Sequence, residues 1–333
     1  MARLNSPMDI FFPVSEHPVY VIMPDKSGEL RVKIRGKKAI VNCNNGNVVG
    51  VVSDGYRLIT NQEAFELAKQ CCKEVFPDTK TEEWGVNVVD APSTGGHCFI
   101  DLVHNSAALN FHFVPANDRP DAYGPFIRVI NSYNGLRALS FDIGFYRKIC
   151  MNGLIIPKSL IRFRFIHLRS QMKNEIKFDV ARDRLKELNE NFSTYLKTIT
   201  SIEVPAADIE VLFKGVLLIR TPEELKLSSW EAKEWNILNT HIRNICNRYA
   251  EEIGNNGYAV FNAITEFASN PPVNRFLYRD RHSMQRLAGM WLNDFSQKCS
   301  TQGFSISEYI SEWTKSLDKR ESDQTGENPK TVH

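Results

Sequence analysis

The chain has 333 residues, of which 42% are hydrophobic and 24% charged, and its formal net charge is +2. This balance suits a soluble globular protein with a sizeable core in one large or two ordinary domains. It excludes a uniformly basic surface, so any nucleic-acid role needs a local patch. The longest apolar runs, GLIIP and GVLLI, are too short to span a bilayer.

The N-terminus MARLNSPMDIFFPV lacks the long apolar segment and small-residue cleavage site of a signal peptide. A cytoplasmic protein with no membrane partner is expected. The seven cysteines (Cys43, Cys71, Cys72, Cys98, Cys150, Cys246 and Cys299) are scattered and form no C-x-x-C. They read as buried, reduced thiols rather than metal ligands or a redox pair.

Residues 1–29 are proline-containing and irregular, and read as an N-terminal arm. Residues 30–169 read as an α+β sheet region. Leu30, Val32 and Ile34 alternate with Arg31, Lys33 and Arg35, a strand pattern, and NNGN and SDGY supply turn residues. One early helix follows, with Thr60 and Glu63 at capping-box spacing. HCFIDLVH, ALNFHFVP, PFIRVINSYNG, LRALSFDIG and LIRFRFIHLR are further short strands bounded by Gly, Pro, Asn or Asp.

Residues 170–316 turn to helical periodicity and are expected to pack on the sheet. Helices are predicted near 173–200, 206–217, 229–253, 257–269, 283–299 and 305–317. Ser228 with Glu231 forms a second capping box, and Gly254 reads as a C-cap. The polar residues 317–333 are expected to be a disordered tail. The fold class is α+β: a mainly antiparallel twisted sheet with one early helix, then a helical C-terminal half.

Motifs for chemistry are sparse. There is no phosphate-cradling glycine loop, and STGGH reads as a plain loop. His97, Cys98, His104 and His112 cluster in the sheet region, but His97 and His104 fall on opposite faces of one strand, so ordinary sheet histidines are the favoured reading. Asp101, Asp118, Asp121 and Asp142 have no spacing that demands convergence. No nucleophile motif is present. No catalytic residue, cofactor or metal is therefore assigned, and an enzyme is left open.

From Gly144 to Phe178 the cations Arg147, Lys148, Lys158, Arg162, Arg164, Arg169, Lys173 and Lys177 face a single acid, Glu175. Phe145, Tyr146, Phe163 and Phe165 sit among them. Basic residues beside aromatic platforms suit single-stranded nucleic acid, whose phosphates are neutralised while bases stack. The expected binding set is Arg147, Lys148, Arg162, Arg164, Arg169, Tyr146 and Phe163, extended by Arg31, Lys33, Arg35, Lys37 and Lys38. The bland alternative is a solvated basic face with its phenylalanines in the core. A second basic group, Arg275, Arg279, Arg281, His282 and Arg286, fits a groove wall or a solvated surface equally.

Two Asn-Gly pairs flank the basic pair Arg147-Lys148. SYNG is predicted as a type I′ hairpin turn with Asn134 and Gly135 at positive φ, and MNGL as a second turn containing Asn152 and Gly153. Asn131 and Asn152 are candidates for one polar corner, although turn chemistry alone accounts for both.

Blocks VVGVVSDGYRLITNQEAFEL, INSYNGLRALSF, YRKICMNGLIIP, IRFRFIHLR and YAVFNAITEFASN together resemble the phage/plasmid-like protein family, domain of unknown function 932. The matching positions are Gly50, Ser53, Asp54, Tyr56, Asn61, Ala64 and Phe65; Asn131, Ser132, Asn134 and Gly135; Arg147, Cys150, Asn152, Gly153 and Leu154; His167; and Asn262, Thr265, Glu266 and Phe267. The resemblance spans roughly residues 30 to 295. Tyr133-Asn134 stands where His-Asp is common, and His167 follows Ile166 rather than Arg. The resemblance implies a mobile-element context and no assigned activity. The expectation is a non-catalytic protein that binds single-stranded DNA in replication or recombination. The alternative is a counter-defence protein that binds and inhibits a host factor. Homo-oligomerisation is left open.

Overall fold

The structure, a computed structural model, describes residues 3–4, 6–25, 28–104, 110–115, 120–148, 152–155, 163–165, 191–301, 303–313 and 315. The fold is α+β, with antiparallel sheets, an early helix and several helices in the C-terminal half. The expected tail, 317–333, lies outside the described residues, as does the predicted helix before residue 191. Two compact units emerge.

The first unit comprises Met1–Asn110, Gly124–Gly144 and Ser159–Glu187. It opens with strand β1 (Arg3–Leu4) and a short helix α1 (Pro7–Ile10). A three-stranded sheet follows, ordered β2 (Val14–Asp25), β3 (Gly28–Asn42), β4 (Val48–Ser53). Helix α2 (Asn61–Val75) begins at the Thr60–Glu63 capping box and buries Ala64, Ala68, Cys71, Cys72 and Val75 along one stripe.

A second sheet runs β1, then β5 (Trp84–Pro92), β6 (His97–His104), β8 (Asp121–Ser132) and β9 (Leu139–Arg147), with β11 (Phe163–Phe165) on β9. Strands β6 and β8 are apolar and buried on both faces, not alternating. Their one fully buried ion pair joins cross-strand partners: Arg128 forks onto Asp101 with two contacts of 2.6 Å.

Six residues, Phe12, Ile40, Val49, Val52, Tyr56 and Tyr133, form a cluster that ties the two sheets of this unit together. Gly50 lets the loop after β8 approach. A methyl group there would lie 2.7 Å from the Asn134 Cα.

The second unit comprises Phe111–Tyr123, Phe145–Lys158 and Leu188–His333. Strand β7 (Phe111–Phe113) pairs with the first residues of β8, and β10 (Asn152–Ile155) pairs with β9. The helices are α3 (191–200), α4 (Ala206–Leu217), α5 (Pro222–Leu225), α6 (Ser229–Ile253), α7 (Gly257–Ser269), α8 (Arg281–Lys298) and α9 (306–313). Helix α7 is buried almost all round, as its near-continuous apolar sequence requires. It packs on α4, α6, α8 and β10. No described helix is long and apolar enough to cross a membrane.

Candidate functional site

Two of the expected binding residues are already engaged within the fold. The Tyr146 side chain is fully buried, so it presents no ring for a base to stack on. Arg147 is not a free cation: its Nη2 lies 2.8 Å from Asp121 Oδ2. Tyr258 donates to the same oxygen at 2.6 Å, and the Tyr123 and Tyr258 hydroxyls meet at 2.7 Å. Burial works against the Arg147 charge, but the bond to Asp121 outweighs it and holds the pKa above its ordinary value. Burial raises both tyrosine pKa values, so the hydroxyls stay protonated as donors.

Lys148 is half-buried, which lowers its pKa, and its backbone N–H donates to the Ala122 carbonyl at 2.7 Å. Phe163 and Arg164 lie on β11, where only the backbone is described, opposite Phe141 and Ser140. Arg162 and Arg169 lie outside the described residues, as do Lys158, Lys173 and Lys177.

The two Asn-Gly pairs behave differently from expectation. Residues Tyr133–Ala138 form an open loop instead of a two-residue type I′ turn. Gly135 has φ +73, but Asn134 is not at positive φ. Its Oδ1 instead accepts from the Leu136 N–H at 3.1 Å. Asn131 is fully buried and donates to Asn61 Oδ1 (2.8 Å) and the Ile59 carbonyl (3.0 Å). The Asn61 backbone N–H in turn donates to the Tyr133 hydroxyl oxygen at 2.8 Å, and Tyr56 donates to the Ser132 carbonyl. These residues fix the start of α2 against the end of β8.

MNGL is no turn: Asn152 and Gly153 lie within β10. Gly153 is required by close packing, because a methyl group there would sit 2.8 Å from the Tyr146 ring. Its N–H donates to Ser269 Oγ at 2.8 Å, and Gln285 Nε2 reaches the same hydroxyl at 3.0 Å. Asn131 and Asn152 belong to different units, and each works inside its own.

Two of the acids and one of the histidines have partners within the fold. Asp101 is matched by Arg128 and Asp121 by Arg147, while Asp118 lies outside the described residues. His104 contacts Glu83 at 3.2 Å and stacks edge-on against Trp84. Among the described residues no cluster of metal ligands forms. Arg275 of the second basic group is held by Glu231 and Glu234.

What stands out instead is the outer half of the β2–β3 hairpin. Tyr20, Val21, Ile22 and Met23 pair with Lys33, Val32, Arg31 and Leu30. Side chains directly opposite each other share a face. One face therefore carries Tyr20, Ile22, Arg31 and Lys33, and the other Val21, Met23, Leu30 and Val32. Both faces are open to solvent: Tyr20 is 51% exposed and Ile22 57%, and the four apolar residues of the other face lie between 41% and 48%.

Strand β4 pairs only with Lys37–Val41, so beyond Lys37 the hairpin is a two-stranded ribbon. A shift in the β2–β3 register beside Gly36 (φ +73) separates the ribbon from its base. Arg31, Lys33, Arg35 and Lys37 are all exposed, and among the described residues none is held in an ion pair. The cations were legible in the sequence; the absence of a covering layer was not. Lys38 differs, being buried against Glu16 and the Tyr56 carbonyl.

Fold and site together define an α+β protein with a basic, amphipathic β-ribbon. The chain belongs to the domain of unknown function family DUF932, whose model matches residues 48–291. Neither the curated proteins nor the solved structures yield a match.

Proposed function

We propose that the protein binds single-stranded nucleic acid without catalysis, as a mobile-element protein acting in replication or recombination, and that the ribbon is its primary contact. The observation that carries this reading is one exposed face holding Tyr20, Ile22, Arg31 and Lys33, with Arg35 and Lys37 exposed beside it. Cations neutralise phosphates, and the tyrosine ring offers a sequence-tolerant stacking surface. This moves the proposed site from Tyr146, which is buried, and Arg147, which is paired with Asp121, to strands β2 and β3.

The test is fluorescence anisotropy with labelled single-stranded and duplex oligonucleotides across a salt titration. Each phosphate neutralised on a single strand contributes about −0.7 to the slope of log K against log salt. Arg31→Ala/Lys33→Ala is expected to flatten that slope by about 1.4 with the circular dichroism spectrum unchanged. Arg162→Ala/Arg164→Ala, run beside it, measures any share carried by the other expected basic strand. Absence of binding at low salt, or an unchanged slope in the ribbon variant, overturns the proposal. The alternative, inhibition of a host factor, then becomes the leading reading.

A further inference from the structure

We infer that Asn134 is a self-modification site, where the fold directs conversion of the side-chain amide to an acid through attack by the Gly135 backbone nitrogen. The inference does not depend on nucleic-acid binding.

The chain holds four Asn-Gly pairs: Asn45-Gly46, Asn134-Gly135, Asn152-Gly153 and Asn256-Gly257. Each is competent in an unfolded chain, because glycine has no side chain to block its own nitrogen. The reaction needs that nitrogen to release its proton and reach the asparagine Cγ. Folding engages the nitrogen at three of the four pairs. The Gly46 N–H donates to the Asn42 carbonyl at 2.8 Å, the Gly153 N–H to Ser269 Oγ at 2.8 Å, and the Gly257 N–H to the Ile202 carbonyl at 3.0 Å. Asn152, Gly153 and Gly257 are also buried. The Gly135 N–H has no partner among the described residues, and Gly135 is exposed to water.

The same loop prepares the electrophile. Asn134 Oδ1 accepts from the Leu136 N–H at 3.1 Å, a bond that spans Gly135 and holds the side-chain carbonyl over the intervening peptide. The Ser132 hydroxyl donates to the same oxygen at 3.3 Å. Two donors on one carbonyl oxygen polarise it and stabilise the negative charge that develops during attack. Asn256 Oδ1 also accepts two bonds, from the Tyr258 and Ala259 N–H groups at 3.0 Å each, but its glycine nitrogen is engaged.

The step balances with water alone. The bond from Gly135 N to Asn134 Cγ forms, the Cγ–Nδ2 bond breaks, and ammonia leaves a cyclic imide. Water then opens the ring. Opening at Cγ leaves aspartate, and opening at the main-chain carbonyl leaves isoaspartate. The aspartate keeps both donors, now on a charged acceptor. The isoaspartate routes the chain through an extra methylene. That change falls where packing is tight, since a methyl group on Gly50 would lie 2.7 Å from the Asn134 Cα.

Peptide mapping by mass spectrometry tests this, after the full chain is incubated at mildly alkaline pH, folded or in guanidinium chloride. In the folded chain Asn134 is expected to convert about tenfold faster than Asn45, Asn152 or Asn256, whose glycine amides must first break a hydrogen bond. In denaturant the four rates are expected to converge. Ser132→Ala removes one donor and is expected to slow Asn134 by about three- to tenfold, with the circular dichroism spectrum retained. The wild-type comparison stands without that variant. Equal rates at the four pairs in the folded chain, or another pair leading, overturns the inference. So does a folded Ser132→Ala chain that converts as fast as the wild type.

Discussion

Arg128 offers the sharpest test of what holds the first unit together. Its guanidinium and the Asp101 carboxylate are each 1% exposed, and they meet through two parallel contacts of 2.6 Å on neighbouring strands. The Phe126 ring lies 5.4 Å from the same guanidinium. Replacing Arg128 by Met keeps the length and apolar volume of the stem but leaves the carboxylate buried without its guanidinium. Breaking a buried pair from one side costs about 3–5 kcal/mol, because the remaining charge is stranded at low dielectric. That is a large share of the roughly 5–15 kcal/mol that holds a typical domain together. Removing both charges, in Asp101→Leu/Arg128→Met, takes away the desolvation cost along with the attraction. The double variant is expected to recover most of the loss. Urea unfolding followed by fluorotryptophan NMR isolates the relevant unit, because Trp84 lies in it and Trp230, Trp235, Trp291 and Trp313 lie in the other. A single-variant cost under about 1 kcal/mol, or a double variant no better than the sum of its singles, would refute the reasoning.

Two other outcomes follow from the interior. Cys43 is exposed, whereas Cys98 and Cys246 are pushed up to about 12 and Cys299 to about 11 by burial. A raised pKa starves the reactive thiolate, so a native thiol titration at pH 8 with peptide mapping is expected to modify Cys43 first among the described cysteines; equal labelling of Cys98 in the folded protein would contradict its burial. Gly50→Ala forces a methyl group to within 2.7 Å of backbone at Asn134, which no rotamer change relieves. A loss of about 1–3 kcal/mol is expected in urea unfolding, and a neutral result would mean the loop after β8 yields readily.

Legibility followed the range of the interaction. Helices α4, α6 and α7 begin and end where their periodicity and caps place them, because the Ser228–Glu231 box and Gly254 act within one turn. Strands β3, β6, β8 and β9 were visible as short apolar or alternating runs. What escaped was set by distant residues. Asn152-Gly153 carries the dipeptide of a turn, yet Gly153 answers to Tyr146, Ser269 and Gln285. Arg147 looked free because its acid, Asp121, is 26 residues away in sequence. The ribbon reads as an ordinary half-buried strand pair, since alternation reports two faces but not whether either is covered.

The positions that carry the family resemblance explain why membership leaves function open. Asn61, Asn131 and Tyr56 tie α2 to the end of β8. Gly153 seats β10 on Ser269, and Glu266 accepts from Tyr249 at 2.7 Å and Arg248 at 2.5 Å. Apart from the surface pair of Arg248 with Glu266, these are interior duties, and they specify a fold. The ribbon lies in the β2–β3 hairpin, Val14–Asp25 and Gly28–Asn42, which precedes the matched span of 48–291. The surface best suited to a partner is thus built from residues that the family model does not reach. A hairpin serving only as an exposed connection would gain solubility from polar residues on both faces. This one keeps Val21, Met23, Leu30 and Val32 partly in water on one side, and Arg31 and Lys33 with Glu29 on the other. An uncovered apolar face costs stability and invites aggregation, which makes this hairpin the first surface on which to test for a contact.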